Sequence, residues 1–384
     1  MKKLLLLLVL VGVGYYVYTR GGLESLRSLM KPTNTATSVM QGEPTAENTA
    51  QGEAVKVVTT GLDTPWAIAV LPDGGLLVTE RAGRVRVVNA EGKLLEGPAV
   101  TLDKVKEKGE GGLLGIALDP KFDSNKYVYV YYTYTADANS LNRISRLTYD
   151  ADTQTLGQET SMLENIPGNS NHNGGRIKFG PDGFLYVGTG DAENPSLAQD
   201  TSALGGKVLR LTTNGEAAPG NPFNNRTYSY GHRNVQGLAW NAAGELWQTE
   251  HGPSGLDTGY DEVNFIEPGK NYGWSVIKGD QTKDGMVTPK RQSGKGIAWA
   301  PSGAAFIGSS LYFSGLRGQT LYEAVIRDGQ VVELKEHLKG IYGRIREVTA
   351  GPQNMLYITT SNKDSRGTPK AEDDKILLVD PTKL

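Results

Sequence analysis

The sequence predicts an all-β protein, a six-bladed β-propeller over residues 53–384, preceded by a disordered N-terminal tether. Two observations predict it. The composition, with 49 Gly, 18 Tyr and only 7 Phe, suits many short strands joined by tight turns. The second observation is repetition. A unit of strand, turn and strand recurs six times, its turns spaced by roughly 45 to 65 residues, which is the period of propeller blades.

Taken in order, the first copy runs through strands at 65–70, 76–79 and 84–88, with a Pro72-Asp73-Gly74-Gly75 turn between the first two. The second pairs 113–118 with 127–131 about Asp123-Ser124-Asn125, and the third pairs 176–179 with 184–187 about Pro181-Asp182-Gly183. The fourth pairs 235–240 with 245–247, the fifth 303–306 with 310–313, and the sixth 345–348 with 356–359. No helical segment is expected between copies. A single unit cannot bury both of its faces, so the copies must stack around an axis. The strand near Val55 is expected to lie beside 375–379 and close the ring. A β-solenoid is the rival architecture, but its coils would be shorter and more uniform.

The stretch 169–191, N-S-N-H-N-G-G-R-I-K-F-G-P-D-G-F-L-Y-V-G-T-G-D, organises the rest. Its entry loop holds His172 and its exit holds Asp191. The two ends of a hairpin lie together, so a histidine oriented by a carboxylate can form there, the usual makeup of a general base. A loop histidine bonded to backbone explains the same residues. The other entry loops tilt the balance. If every copy begins at its inner strand, Glu110, Arg233, Asn234, Trp299 and Arg344 gather with His172 over one end of the axis. Arg344 and Arg346 alternate onto one face. Either Glu110 or Glu347 pairs with them, or an anionic, flat polycarboxylate ligand sits there. The stretch 250–262, with its acids and glycine-freed carbonyls, offers hard oxygen ligands for Ca²⁺, and a solvated acidic loop is equally consistent with it.

Other chemistry is excluded or unsupported. There is no cysteine, so disulfides, thiolate nucleophiles, iron–sulfur clusters and cysteine-bound zinc are out. A formal charge of −2 gives no sign of a nucleic-acid partner. No H-E-x-x-H, G-x-S-x-G or phosphate-binding glycine loop occurs. Residues 1–20, Met1-Lys2-Lys3 and then an apolar run, read as a signal peptide or N-terminal membrane anchor. Residues 21–52 read as a flexible linker. The body is therefore expected in the periplasm or cell envelope, touching membrane only through an uncleaved N-terminus.

Five motifs, G-E-G-G-L-L-G-I-A, N-H-N-G-G-R-I-K-F-G-P-D-G, G-H-R-N-V-Q-G-L-A-W, E-H-G-P…D-E-V-N and K-N-Y-G-W, occur in this order. Together they resemble the soluble quinoprotein glucose dehydrogenase and aldose sugar dehydrogenase family. The resemblance runs from about Gly61 to the C-terminus. It implies a six-bladed propeller that uses pyrroloquinoline quinone (PQQ) and Ca²⁺ to oxidise a sugar and passes electrons to an external acceptor. By that resemblance His172 is the base and Asp191 its orienting partner. Arg233, Asn234, Arg344 and Arg346 hold the cofactor, and Glu110 lies near cofactor and substrate. The carbonyls of Gly252 and Pro253 bind the catalytic Ca²⁺, while Glu262 and the Tyr272 carbonyl bind a second. Asn171 and Trp299 are expected on the substrate side. Three departures stand out: Leu316 falls where the glucose enzymes have a cofactor lysine, so that contact is either lost or replaced by Arg317. Asn171 stands where they have an acid, and the segment between Pro253 and Asp261 is longer than the aldose-type pattern. These favour the aldose sugar dehydrogenase branch. A Ca²⁺-dependent propeller hydrolase of lactonase type and a non-catalytic ligand-binding propeller remain the competing readings.

Overall fold

The computed structural model describes residues 54–384, so the expected signal or anchor and linker lie outside the described residues. The chain enters through β1 (Val55–Thr59) and then builds its blades in sequence. The first blade is β2 (Pro65–Val70), β3 (Leu76–Glu80), β4 (Arg84–Val88) and β5 (Val100–Thr101). The second is β6 (Leu113–Leu118), β7 (Tyr127–Ala136), β8 (Asn139–Asp150) and β9 (Thr155–Pro167). The third is β10 (Ile177–Phe179), β11 (Leu185–Gly188), β12 (Lys207–Leu211) and β13 (Thr227–Tyr230). The fourth is β14 (Val235–Trp240), β15 (Leu246–Glu250), β16 (Glu262–Ile266) and β17 (Arg291–Gln292). The fifth is β18 (Pro301–Ile307), β19 (Ser310–Gly315), β20 (Thr320–Arg327) and β21 (Gln330–His337). The sixth is β22 (Ile345–Ala350), β23 (Leu356–Thr360) and β24 (Ile376–Val379), completed by β1.

Closure follows the expected pairing, with Val55 opposite Val379 and Lys56 opposite Leu378 in an antiparallel register. The last sheet is thus made from both ends of the described chain, and the ring is closed by strand pairing rather than left open between its first and last blades. The inner strands β2, β6, β10, β14, β18 and β22 surround the axis. Between blades the sheets stack through buried apolar side chains, among them Trp66, Trp247, Tyr129 and Phe313. Burying each such ring contributes on the order of 2 kcal/mol.

Two one-turn helices, α1 (Phe122–Asn125) and α2 (Ser196–Gln199), correct the expectation that no helix interrupts the repeats. The cause of α1 is local. Asp119 Oδ1 accepts the Lys121 N–H at 2.8 Å and the Asn125 amide at 2.9 Å, folding the expected turn into a helical one. The first blade's turn is as expected: Asp73 Oδ1 accepts the Gly75 N–H at 2.9 Å, and Gly74 takes φ +90°, where a side chain would be strained.

The inner strands are not regular at the end that matters for function. Five of the six carry a register irregularity near their entry, at 65/67, 113/116, 235/237, 301/304 and 345/348. A bulge leaves a residue out of the ladder and re-aims its side chain. Gln236, Ser302, Arg346 and Glu347 all fall inside these irregularities, and Gln236 and Arg346 reach the axis cavity.

Candidate active site

The loop before β10 is locked by asparagines. Asn173 Oδ1 accepts the Asn169 N–H at 3.1 Å, its amide donates to the Asn169 carbonyl at 2.8 Å, and Tyr131 donates to its carbonyl at 2.8 Å. The loop then crosses the exit of β11 at backbone contact. A Cβ on Gly190 would collide with the His172 carbonyl, and one on Gly174 would meet the Gly188 carbonyl and Thr189. The two glycines therefore set how close the entry and exit loops come. His172 itself takes φ +58°. Its N–H donates to Glu110 Oε2 at 3.1 Å and its carbonyl accepts from the Ala192 N–H at 3.1 Å, which offsets the cost of that left-handed backbone.

The imidazole is gripped at both nitrogens. Nδ1 lies 2.7 Å from Asp191 Oδ1, and Nε2 lies 2.8 Å from Arg233 Nη2. A guanidinium can only donate, so Nε2 accepts and Nδ1 carries the proton to the carboxylate. Asp191 is buried. Burial opposes its charge, but His172, the Trp274 indole N–H at 2.7 Å and the Glu193 N–H at 2.9 Å outweigh it and hold its pKa below the usual range. What results is a base whose accepting lone pair points away from its carboxylate partner.

That lone pair faces a cavity of about 600 Å³ at the end of the axis. Five arginines line it (Arg233, Arg317, Arg344, Arg346 and Arg366), against the three carboxylates of Glu110, Glu193 and Asp261. Arg344 is held by Asp364, which accepts from Nε at 2.9 Å and Nη2 at 2.7 Å. Arg346 donates to Gln236 Oε1 at 2.7 Å. Burial lowers the Arg346 pKa to about 9. It is still cationic at neutral pH, so its burial amounts to a demand for an anion. The Nε atoms of Arg233 and Arg346 are buried with no partner among the described residues. Buried donors without acceptors cost free energy, and a bound acceptor would recover it.

The expected site residues fall into three sets. His172, Asn171, Glu110, Arg233, Arg317, Arg344, Arg346, Gly252 and Pro253 line the cavity, with Asp191 directly behind the base. Asn234 does not line it; fully buried, it accepts the Gly174 N–H at 2.9 Å and so braces the histidine loop. Trp299 corrects the expectation of a substrate contact. Its backbone N–H is captured by Asp261 at 2.6 Å, and its indole packs into the fifth blade 5.6 Å from Phe313 and 5.4 Å from Tyr322, leaving Ala298 and Ala300 at the cavity wall. Of the two alternatives for Arg344 and Arg346, the structure does not show the pairing with Glu110 or Glu347. Asp364 holds Arg344, Arg366 holds Glu110 at 2.8 Å, and Glu347 pairs with Arg176.

Glu262 lies outside the main cavity, beside a small void that it shares with Glu250, Gly252 and Pro253. Burial and the neighbouring Glu250 raise its pKa well above the usual range, and Asn264 at 3.0 Å is its hydrogen-bond donor. Tyr272 is buried and stacks on His232 at 4.8 Å between ring centres. Among the described residues no cluster of three or more His, Cys, Asp or Glu side chains is arranged to hold a metal.

Asp364, Arg366, Gln236 and Trp274 are not among the residues expected from the sequence. For two of them a signal exists there. Asp364 and Arg366 sit on the exit loop after β23, the position in the sixth blade that Asp191 holds in the third. Gln236 owes its place to a bulge and Trp274 to a distant loop, neither of which periodicity reveals.

A six-bladed propeller with a cationic axial cavity and a carboxylate-oriented histidine at its wall describes a protein built to hold an anionic ligand beside a base. Residues 62–369 match the glucose/sorbosone dehydrogenase family, and the chain belongs to it. An aldose sugar dehydrogenase of Escherichia coli is 33% identical over 341 residues, covering 80% of this chain and 89% of that protein. Quinoprotein glucose dehydrogenase B of Acinetobacter calcoaceticus is 34% identical over 267 residues, covering 60% of this chain and 54% of that one. Among solved structures, the PQQ-bound aldose sugar dehydrogenase of Streptomyces coelicolor superposes with a TM-score of 0.79 at 42% identity, covering 85% of this chain and 97% of that one.

Proposed function

We propose that this protein is a PQQ- and Ca²⁺-dependent aldose sugar dehydrogenase that oxidises the anomeric hydroxyl to a lactone and passes electrons to an external acceptor. The observation that carries the reading is His172, its Nε2 lone pair presented to an arginine-lined cavity and its Nδ1–H engaged by Asp191. The residues fit a flat polycarboxylate. Arg233, Arg317, Arg344 and Arg346 line one cavity, and two of them keep buried donors without acceptors among the described residues. Support for a cation is narrower, since among the described residues it would rest on backbone carbonyls and one carboxylate rather than on a cluster of acidic side chains. The Gly252 and Pro253 segment borders both the cavity and the void at Glu262, whose buried carboxyl is met by an amide rather than by a cation among the described residues.

When bound, the quinone supplies the hydride acceptor and Ca²⁺ the Lewis acid that polarises it. The chain's own part is to place and deprotonate the substrate. The sugar hydroxyl displaces Arg233 from Nε2 and donates its proton there. Asp191 stabilises the imidazolium that forms and fixes the ring against rotation. Arg233, freed from His172, remains anchored by Ser254 Oγ at 2.9 Å and stays in the cavity as a cation. An N-terminal leader that carries the body out of the cytoplasm completes the proposal.

The test is reconstitution of the purified apo-protein with PQQ and Ca²⁺, followed by a redox dye and a panel of aldoses. Dye reduction that requires both quinone and sugar, and that His172→Ala abolishes, supports the reading. Absence of quinone binding overturns it.

A further inference from the structure

Arg366 is a cavity arginine tied to the loop of the base. Its Nη1 donates to Glu110 Oε1 at 2.8 Å and its Nη2 to Asn171 Oδ1 at 3.2 Å. Glu110 Oε2 in turn accepts the His172 N–H at 3.1 Å, and Asn171 donates to Glu193 Oε1 at 3.0 Å. Four side chains from four loops thus form a continuous polar strip beside His172. Arg344 and Arg346 are engaged elsewhere, by Asp364 and Gln236.

We propose that Arg366 is a substrate-specificity residue: with Glu110, Asn171 and Glu193 it recognises sugar hydroxyls remote from the reacting carbon and selects neutral and amino sugars over anionic ones. The proposal rests on the dehydrogenase reading above. Three facts carry it. The Arg366 side chain is 53% exposed at the mouth, so its head can shift to admit a ligand that the buried Arg344 and Arg346 cannot follow. The strip alternates donors and acceptors, and a guanidinium with two of its five N–H groups engaged keeps donors to spare. Finally, with the other four cavity arginines assigned to the polycarboxylate cofactor, the strip holds one cation against the two carboxylates of Glu110 and Glu193, so an anionic sugar seated on it would meet repulsion. Burial opposes the Glu110 charge, yet the Arg366 guanidinium at 2.8 Å and the His172 N–H at 3.1 Å favour it, and its pKa lies below the usual range.

The experiment measures steady-state kinetics of the PQQ- and Ca²⁺-loaded protein on glucose, glucosamine and glucuronate, with quinone affinity followed by fluorescence. For Arg366→Gln the KM for glucose should rise about tenfold with kcat changed less than about threefold, the mark of lost uniform binding. Quinone affinity should be unchanged. Glucuronate should show a kcat/KM at least about tenfold below glucose, and Glu193→Gln should narrow that gap. A tenfold loss of quinone affinity in Arg366→Gln would assign the residue to the cofactor and overturn the proposal. A kcat loss without a KM change, or a preference for glucuronate, would overturn it too. If no sugar is oxidised by any variant, the dehydrogenase reading has failed. Calorimetric binding of the same three sugars then decides the strip, and equal affinities would sink it.

Discussion

Two histidines in this molecule pair Nδ1 with a buried carboxylate, His172 with Asp191 at 2.7 Å and His232 with Glu250 at 3.0 Å. The pairs differ at the other nitrogen. His172 Nε2 meets a guanidinium at the wall of the cavity, whereas His232 Nε2 meets Ser229 Oγ at 2.8 Å in the interior. Ser229, His232 and Glu250 even line up as the hydroxyl, imidazole and carboxylate of a nucleophilic relay. Yet their exposures are 0%, 0% and 2%, so no substrate reaches the hydroxyl. Glu250 accepts the Arg233 N–H at 2.7 Å, which makes the second pair a brace for the arginine that bonds the first. Geometry alone does not separate a base from a strut. Access does.

Breaking each pair should therefore give opposite results. His172→Ala should cut turnover on the order of 10²–10⁴-fold with little change in melting temperature. A parallel loss of melting temperature and activity would instead make His172 structural. Asp191→Asn should leave quinone binding intact but lower kcat on the order of 10²-fold, because an amide can hold the ring in the wrong tautomer. Unchanged kcat would remove Asp191 from the mechanism. His232→Ala should do the reverse, costing about 2–4 kcal/mol of stability by leaving buried Ser229 without its partner and taking one donor from buried Glu250, while turnover per folded molecule falls less than about tenfold. Denaturant titration beside active-site counting separates these outcomes.

Two smaller effects sharpen the contrast. The Glu110 pKa falls from 4.5 to about 2 in the fold, so its stabilisation is complete above pH 4.5 and is lost as pH falls toward 2. Thermal melts across that window should flatten in Glu110→Gln, and an unaltered slope would show that the carboxylate is not held. Last, chelation of the purified protein without quinone should lower the melting temperature by a few degrees if Glu262 and Tyr272 hold Ca²⁺. No shift would remove that site.

Much of the fold is legible in the chain's local pattern. Alternation, turn chemistry and six repeats specify the fold class, because each blade's pattern is local and recurs. Hairpin geometry allows the meeting of His172 and Asp191, and the same logic applied to the sixth blade reaches Asp364 and Arg366. Trp299 does not follow, because nothing in its loop tells whether an indole faces a cavity or the blade core; Asp261, a blade away, decides that by taking its backbone N–H. Nor does Gln236, whose reach depends on a bulge at 235/237. The counter-ions of the arginines are also out of reach, since ring closure brings Glu110 and Arg366 together across 256 residues of chain. The sequence by itself determined what repeats locally: strands, turns, blade number and most members of the site. Only the tertiary structure decided which charges meet and which side chains see the cavity, because those depend on how six separate loops converge on one axis.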